Sequence, residues 1–217
     1  MIIAGGPGGR VVASAAMSQM SLFSAGARDP RVGDLEGLLA GPGQVVRRGE
    51  LARISVVVTD MWRVDALVAE MATLGLSAEV DDAEPASGTA GGVTVRSPWL
   101  SQLREVADSW TLGAVKVPPA GWALDGGRLR WWCLGAGSAQ PAMYTLALGA
   151  SDEPAWGAVG AALAAAGVPG VLVGPRAFGP AYRIVGQRRL GRLRELVGDQ
   201  PPDVPDIGWP ADARTGI

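Results

Sequence analysis

The chain has 217 residues, 48% of them hydrophobic, no histidine, a single cysteine and a formal net charge of −2. That length holds one large domain or two small ones with a substantial core. The composition excludes a disordered chain, an intrachain disulfide framework, Ser-His-Asp and Cys-His catalysis and histidine-ligated zinc. No apolar run of about 18 residues escapes charge or breakers, and no basic region with an apolar stretch opens the chain. Neither a membrane span nor a secretory signal is expected, and the reading is cytoplasmic.

In chain order, 1–33 reads as a Gly-, Ala- and Ser-rich segment, partly flexible. Its Gly5-Gly6-Pro7-Gly8-Gly9-Arg10 lacks the Lys-Ser/Thr ending of a phosphate loop. A β-branched strand is expected over 54–59. Asp60 is placed to cap a helix carrying Val64, Leu67, Val68, Met71 and Leu74 on one face, and Gly75 to end it. Strands follow near 78–80 and 92–96, joined by a polar loop at 81–91 whose Asp81, Asp82 and Glu84 read as solvated. A helix is expected from Pro98 to Trp110. The same series then recurs: strand 143–148, helix 153–166, strands near 170–173 and 182–185, and helix 188–197.

The recurrence is a repeat in sequence. Asp60, Leu67, Met71 and Gly75 match Asp152, Val159, Leu163 and Gly167 at an offset of 92. The blocks 100–106 and 190–196 match at an offset of 90, and Gly121-Trp122 corresponds to Gly208-Trp209. The fold class is therefore α+β. Charge is uneven along the chain: net −6 over 34–125 and net +5 over 126–198, where Arg176, Arg183, Arg188, Arg189, Arg192 and Arg194 cluster. Arg188 and Arg192 share a helix face and could neutralise phosphates or sit on a solvated surface. Trp131, Trp132 and Cys133 read as core.

Two decamers precede the repeats, 35–44 (LEGLLAGPGQ) and 129–138 (LRWWCLGAGS), at an offset of 94. Each begins with leucine, has an apolar middle and ends in small residues, glycine and a polar residue. In this pattern the chain resembles the LAGLIDADG homing-endonuclease family over roughly 34–210. The resemblance implies two tandem α-β-β-α-β-β-α repeats, 34–122 and 123–210, with a C-terminal tail at 211–217. It implies a pseudo-twofold monomer whose curved antiparallel sheets form a saddle over DNA. The two motif helices would pair through Gly37, Leu38, Gly41, Cys133 and Ala136. Arg47, Arg48, Arg53 and Arg183 would face DNA from the sheets, arginine being suited to bidentate guanine contacts.

The resemblance also implies an acidic metal ligand near the end of each motif helix, serving metal-assisted strand cleavage. Here those positions are Pro42 and Ala136, preceded by Gly41 and Gly135. No catalytic residue, metal or cofactor is therefore expected. The leading expectation is an inactive, duplex-DNA-binding protein with a transcription-related role, RNA and a protein partner being further candidates. The acidic 34–125 region favours an alternative, a protein-interaction module retaining the fold. A lesser alternative is an active endonuclease with relocated metal ligands.

Overall fold

The computed structural model describes residues 25–83, 91–113, 115–174 and 179–210. Two 3-10 turns, Ala25–Ala27 and Val32–Leu35, lead into α1 (Glu36–Ala40). Strands β1 (Gln44–Arg48) and β2 (Leu51–Val58) form a hairpin, with Gly49 in the left-handed region at φ 59°. Helix α2 (Met61–Thr73) buries Val64, Ala66, Leu67 and Met71. It ends where the Gly75 N–H donates to Ala72 and the Leu76 N–H to Met71, a glycine-closed helix end. Then come β3 (Glu79–Ala83), β4 (Gly92–Arg96), α3 (Arg104–Trp110) and a small hairpin of β5 (Thr111–Leu112) and β6 (Val115–Lys116). The second series is α4 (Gly126–Ala136), β7 (Gly137–Gln140), β8 (Met143–Ala147), α5 (Glu153–Ala165), β9 (Val171–Val173), β10 (Ala181–Val185) and α6 (Gln187–Val197).

Two four-stranded antiparallel sheets result, ordered β1-β2-β4-β3 and β7-β8-β10-β9. The same order thus occurs twice, as the repeat requires. In β2 the inner residues Ala52, Ile54, Val56 and Val58 are buried against helices, while Leu51, Arg53, Ser55 and Val57 face outward. Helix α4 lies at the centre and is buried along most of its length, its two arginines, Arg128 and Arg130, being engaged in ion pairs. Its Leu129, Trp131, Trp132, Cys133 and Leu134 are all buried, and it packs on α1, α2 and α6. The Trp132 indole keeps its polar edge satisfied by donating to the Ala147 carbonyl at 2.9 Å.

Several expectations are corrected. The helix expected from Pro98 begins as a 3-10 turn at Ser101–Leu103, because Leu100 is still extended and exchanges both backbone hydrogen bonds with Ala52. Strand β3 runs on through Asp81 and Asp82, which pair with Thr94 and Val93. The first motif helix is short, since its backbone turns out of helix at Gly41 and Gln44 already belongs to β1. Asp60 stands at the α2 N-cap, yet its carboxylate accepts from Arg63 Nε at 3.1 Å instead of a backbone N–H. Residues 1–24 lie outside the described residues. Residues 25–35 are tied to the rest through Arg28 and Arg31, which both reach Asp125.

Candidate nucleic-acid interface and the paired helix ends

Glycines let α1 and α4 meet at backbone distance. A Cβ on Gly37 would come within 2.6 Å of the Arg128 carbonyl carbon, so this position admits no side chain. Leu38 packs on Gly135, and the Trp132 ring packs on Gly41. These two contacts are related by the 94-residue offset of the decamers. Gly37, Leu38 and Gly41 thus lie at the crossing. Cys133 instead lies beside Tyr144 on β8, burial pushes its thiol up to about 12, and Ala136 ends α4 half-buried. A thiol held protonated in this way is no nucleophile.

The C-terminal ends of both helices are held by cations of the chain itself. Lys116 Nζ donates to the Gly41 and Gly43 carbonyls, each at 2.7 Å, and pairs with Asp152 at 2.7 Å. Arg63 donates to the carbonyls of Leu134 at 2.9 Å and Gly137 at 2.6 Å, with Cys133 at 3.4 Å, and pairs with Asp60. Positive charge at a helix C-terminus is favourable there. The two acids behind these cations, Asp60 and Asp152, are the residues matched by the sequence repeat. Burial pushes the Lys116 ammonium below its ordinary value, partly offset by Asp152.

The opposite ends of the helices carry a second network. Arg28 bridges Asp34, which is 2% exposed, and Asp125 at 3.0 Å; Arg31 reaches both carboxylates too. Asp125 caps α4 by accepting from the Arg128 N–H at 3.0 Å. Glu36 accepts from Trp122 Nε1 at 2.6 Å and pairs with Arg128 at 3.2 Å. Arg130 pairs with Glu70 at 2.6 Å, donates to the Val197 and Asp199 carbonyls and stacks on Trp209.

On the outer face of the first sheet the register puts Arg48 beside Leu51, Arg53 beside Val46, and Arg96 beside Ser55. Arg53 stacks on Trp99 at 4.6 Å and Arg48 lies 6.0 Å from the same ring. Arg53 also pairs with Glu79 at 3.1 Å, and Arg96 with Asp81. On the second sheet's outer face Arg183 is exposed beside Thr145, and it is the one charged residue in β7 to β10. Arg47 does not join this face. Neighbours along a strand point to opposite sides, so Arg47 turns inward with Ala52 and pairs with Asp108, whose carboxyl Arg104 and Arg47 hold below the usual range. Arg188 and Arg192 stand on α6, whose buried Leu193, Leu196 and Val197 cover the inner face of the second sheet. They therefore lie across that sheet from Arg183, and Arg192 pairs with Glu195 at 2.8 Å.

No protein-family model and no curated protein sequence matches the chain. Among solved structures, the homing endonuclease I-WcaI bound to its DNA recognition sequence matches at TM-score 0.50 and 7% identity, over 74% of this chain and 76% of its own. The chain is similar in fold to a homing endonuclease. Identity this low speaks for the fold alone.

The metal site that the homing-endonuclease resemblance implies does not fit these residues. Pro42 and Ala136 offer no side-chain oxygen, and the carbonyls beside them already accept from Lys116 and Arg63. Divalent ions of this kind need several hard oxygen donors. Among the described residues no three Cys, Asp or Glu are grouped as a metal site. No helix among them is long and apolar enough to cross a membrane. The sequence reading missed Lys116, Arg63, Arg28 and Arg96. The one available signal was that Lys116, the sole lysine, stands between Val115 and Val117.

Proposed function

We propose that the chain is a LAGLIDADG-type, two-repeat protein that lays the outer faces of its two sheets on duplex DNA and does not cut it. The repeats are 34–122 and 123–210, and gene regulation is the role this leaves. Support for binding comes from the fold shared with a DNA-bound homing endonuclease and from Arg48, Arg53, Arg96 and Arg183 on outer faces. The absence of cleavage is carried by one observation: lysine and arginine occupy the carbonyls of the paired helix ends, and the acids there, Asp152 and Asp60, are paired with these cations.

The test is selection from random duplex DNA and RNA pools at two salt concentrations, with Mg²⁺ present and products examined for cuts. Enrichment of intact duplex DNA is expected. Two of the four arginines are engaged with acids, so the slope of log K against log salt should be about −2 to −4. Arg48→Glu with Arg183→Glu should weaken binding about tenfold or more. Cleaved products would overturn the inactive reading, and no enrichment at low salt would overturn binding.

A second reading has its own observation. Arg53 and Arg96 are paired with Glu79 and Asp81, while Val46, Leu51, Val57, Val171 and Val185 are exposed. Such a mixed, weakly basic surface suits a protein partner, and it gains if neither pool enriches.

A further inference from the structure

Lys116 Nζ has three oxygen neighbours at one distance: the carbonyls of Gly41 and Gly43 and Asp152 Oδ2, each 2.7 Å away. Lys116 is 6% exposed and Asp152 7%. The three oxygens come from distant parts of the chain. Two belong to the turn that closes α1, and the third stands at the head of α5. The turn is rigidly built: the Gly41 and Gly43 N–H groups both donate to the Leu38 carbonyl, at 3.2 and 2.9 Å. A Cβ on Gly43 would fall 2.7 Å from the Leu38 carbonyl carbon, so this close turn requires glycine there. Two of the oxygens are thus placed by the turn's backbone, while the Asp152 carboxylate makes no capping hydrogen bond to α5 and has the ammonium reaching in from β6 as its ion-pair partner.

We infer that this oxygen cage is a cation-binding site in its own right, occupied by a tethered ammonium in place of a free cation. Arg63 plays the matching part at the end of α4, with Asp60 behind it as Asp152 stands behind Lys116. The two helix ends thus share one arrangement: carbonyls of the helix terminus, a cation and an acid from the segment after the second strand of a sheet. A buried carboxylate facing two carbonyl oxygens is repulsive unless a cation lies between them. Removing the lysine side chain leaves that demand unmet. A small primary alkylammonium ion supplies the N–H donors and charge that the cage requires. The inference concerns stability and stands whether or not the protein binds nucleic acid.

The test is chemical complementation of Lys116→Ala. The substitution removes three carbons and the nitrogen, the heavy atoms of n-propylammonium. Thermal midpoints are measured for the full chain and for K116A in n-propylammonium chloride and, at equal ionic strength, in tetramethylammonium chloride, which has no N–H donor. Propylammonium is expected to raise the K116A midpoint by about 5 °C or more at saturating concentration. Tetramethylammonium should not, and the unsubstituted chain should respond equally to both salts. An equal response of K116A to the two salts overturns the inference. If K116A does not fold, K116M is compared with the double variant K116M/D152N. The Asp152→Asn change removes the stranded charge, so the double variant should melt higher. An equal or lower midpoint overturns the inference.

Discussion

Gly37→Ala is expected to be among the most damaging single substitutions in the chain. The added methyl would lie 2.6 Å from the carbonyl carbon and 3.0 Å from the Cα of Arg128, all backbone atoms of the facing helix. A flexible side chain could swing away; a backbone cannot. Overpacking of a core costs about 1–3 kcal/mol and more where the backbone must shift, so a loss of about 3 kcal/mol or more is expected. For a chain of this size that lowers Tm by about 6–12 °C. Gly33→Ala is the control, since a Cβ there meets nothing within 4 Å. Its unfolding free energy from urea melts should stay within about 0.5 kcal/mol of the parent. Equal stability of the two variants would show that α1 and α4 do not touch at Gly37.

Arg28→Met tests the other end of the helix pair. The side chain is 30% exposed, but one of its partners, Asp34, is almost wholly buried and the other, Asp125, is largely covered. Stranding a buried carboxylate costs about 3–5 kcal/mol. Arg31 remains to answer part of the charge, so about 2 kcal/mol is expected here. The loss should depend on pH. Burial works to raise the Asp125 pKa, but the Arg128 N–H and the Arg28 guanidinium outweigh it and hold the carboxyl below the ordinary 3.8. A carboxyl depressed in the folded state stabilises above its unfolded value, and that contribution disappears as pH falls through the folded one. The difference between the parent and Arg28→Met in urea melts should therefore be full at pH 7 and shrink below about pH 3.8. A difference that stays constant with pH would mean that the guanidinium acts by packing alone.

Much of the architecture was legible because it repeats. The alternation along 54–59, the helix-ending Gly75 and Gly167, and the Asp60–Asp152 match all reflect local chemistry that a sequence displays directly. The decamers pointed to Leu38 and Gly41 on α1, but on α4 it is Trp132 and Gly135 that meet them, not the expected Cys133 and Ala136. Other features depend on distant partners. Nothing near Lys116 announces that its ammonium will meet Gly41, Gly43 and Asp152. Arg28 lay in a segment whose glycines and serines pointed to flexibility, while its two acids are distant in sequence or hidden by folding. The misplacement of Arg47 was avoidable, because adjacent residues of a strand cannot share a face. Pro98 looked like a helix start until Leu100 took its hydrogen bonds from Ala52 across the sheet.

The central position of α4 bears on how the chain comes apart. This helix is enclosed by α1 and α2 from before it and by α6 from after it, and Arg130 ties it to Glu70, Val197 and Asp199 at once. Cutting the chain before α4 strips the first sheet's helices of their cover; cutting after it leaves Trp131 and Trp132 bare. Neither fragment is self-sufficient, so unfolding should be a single all-or-none event. Tryptophan fluorescence, which reports on the packing of eight indoles in both halves of the chain, two of them in α4, and far-ultraviolet circular dichroism, which reports on every element, should trace the same denaturation curve with one m-value.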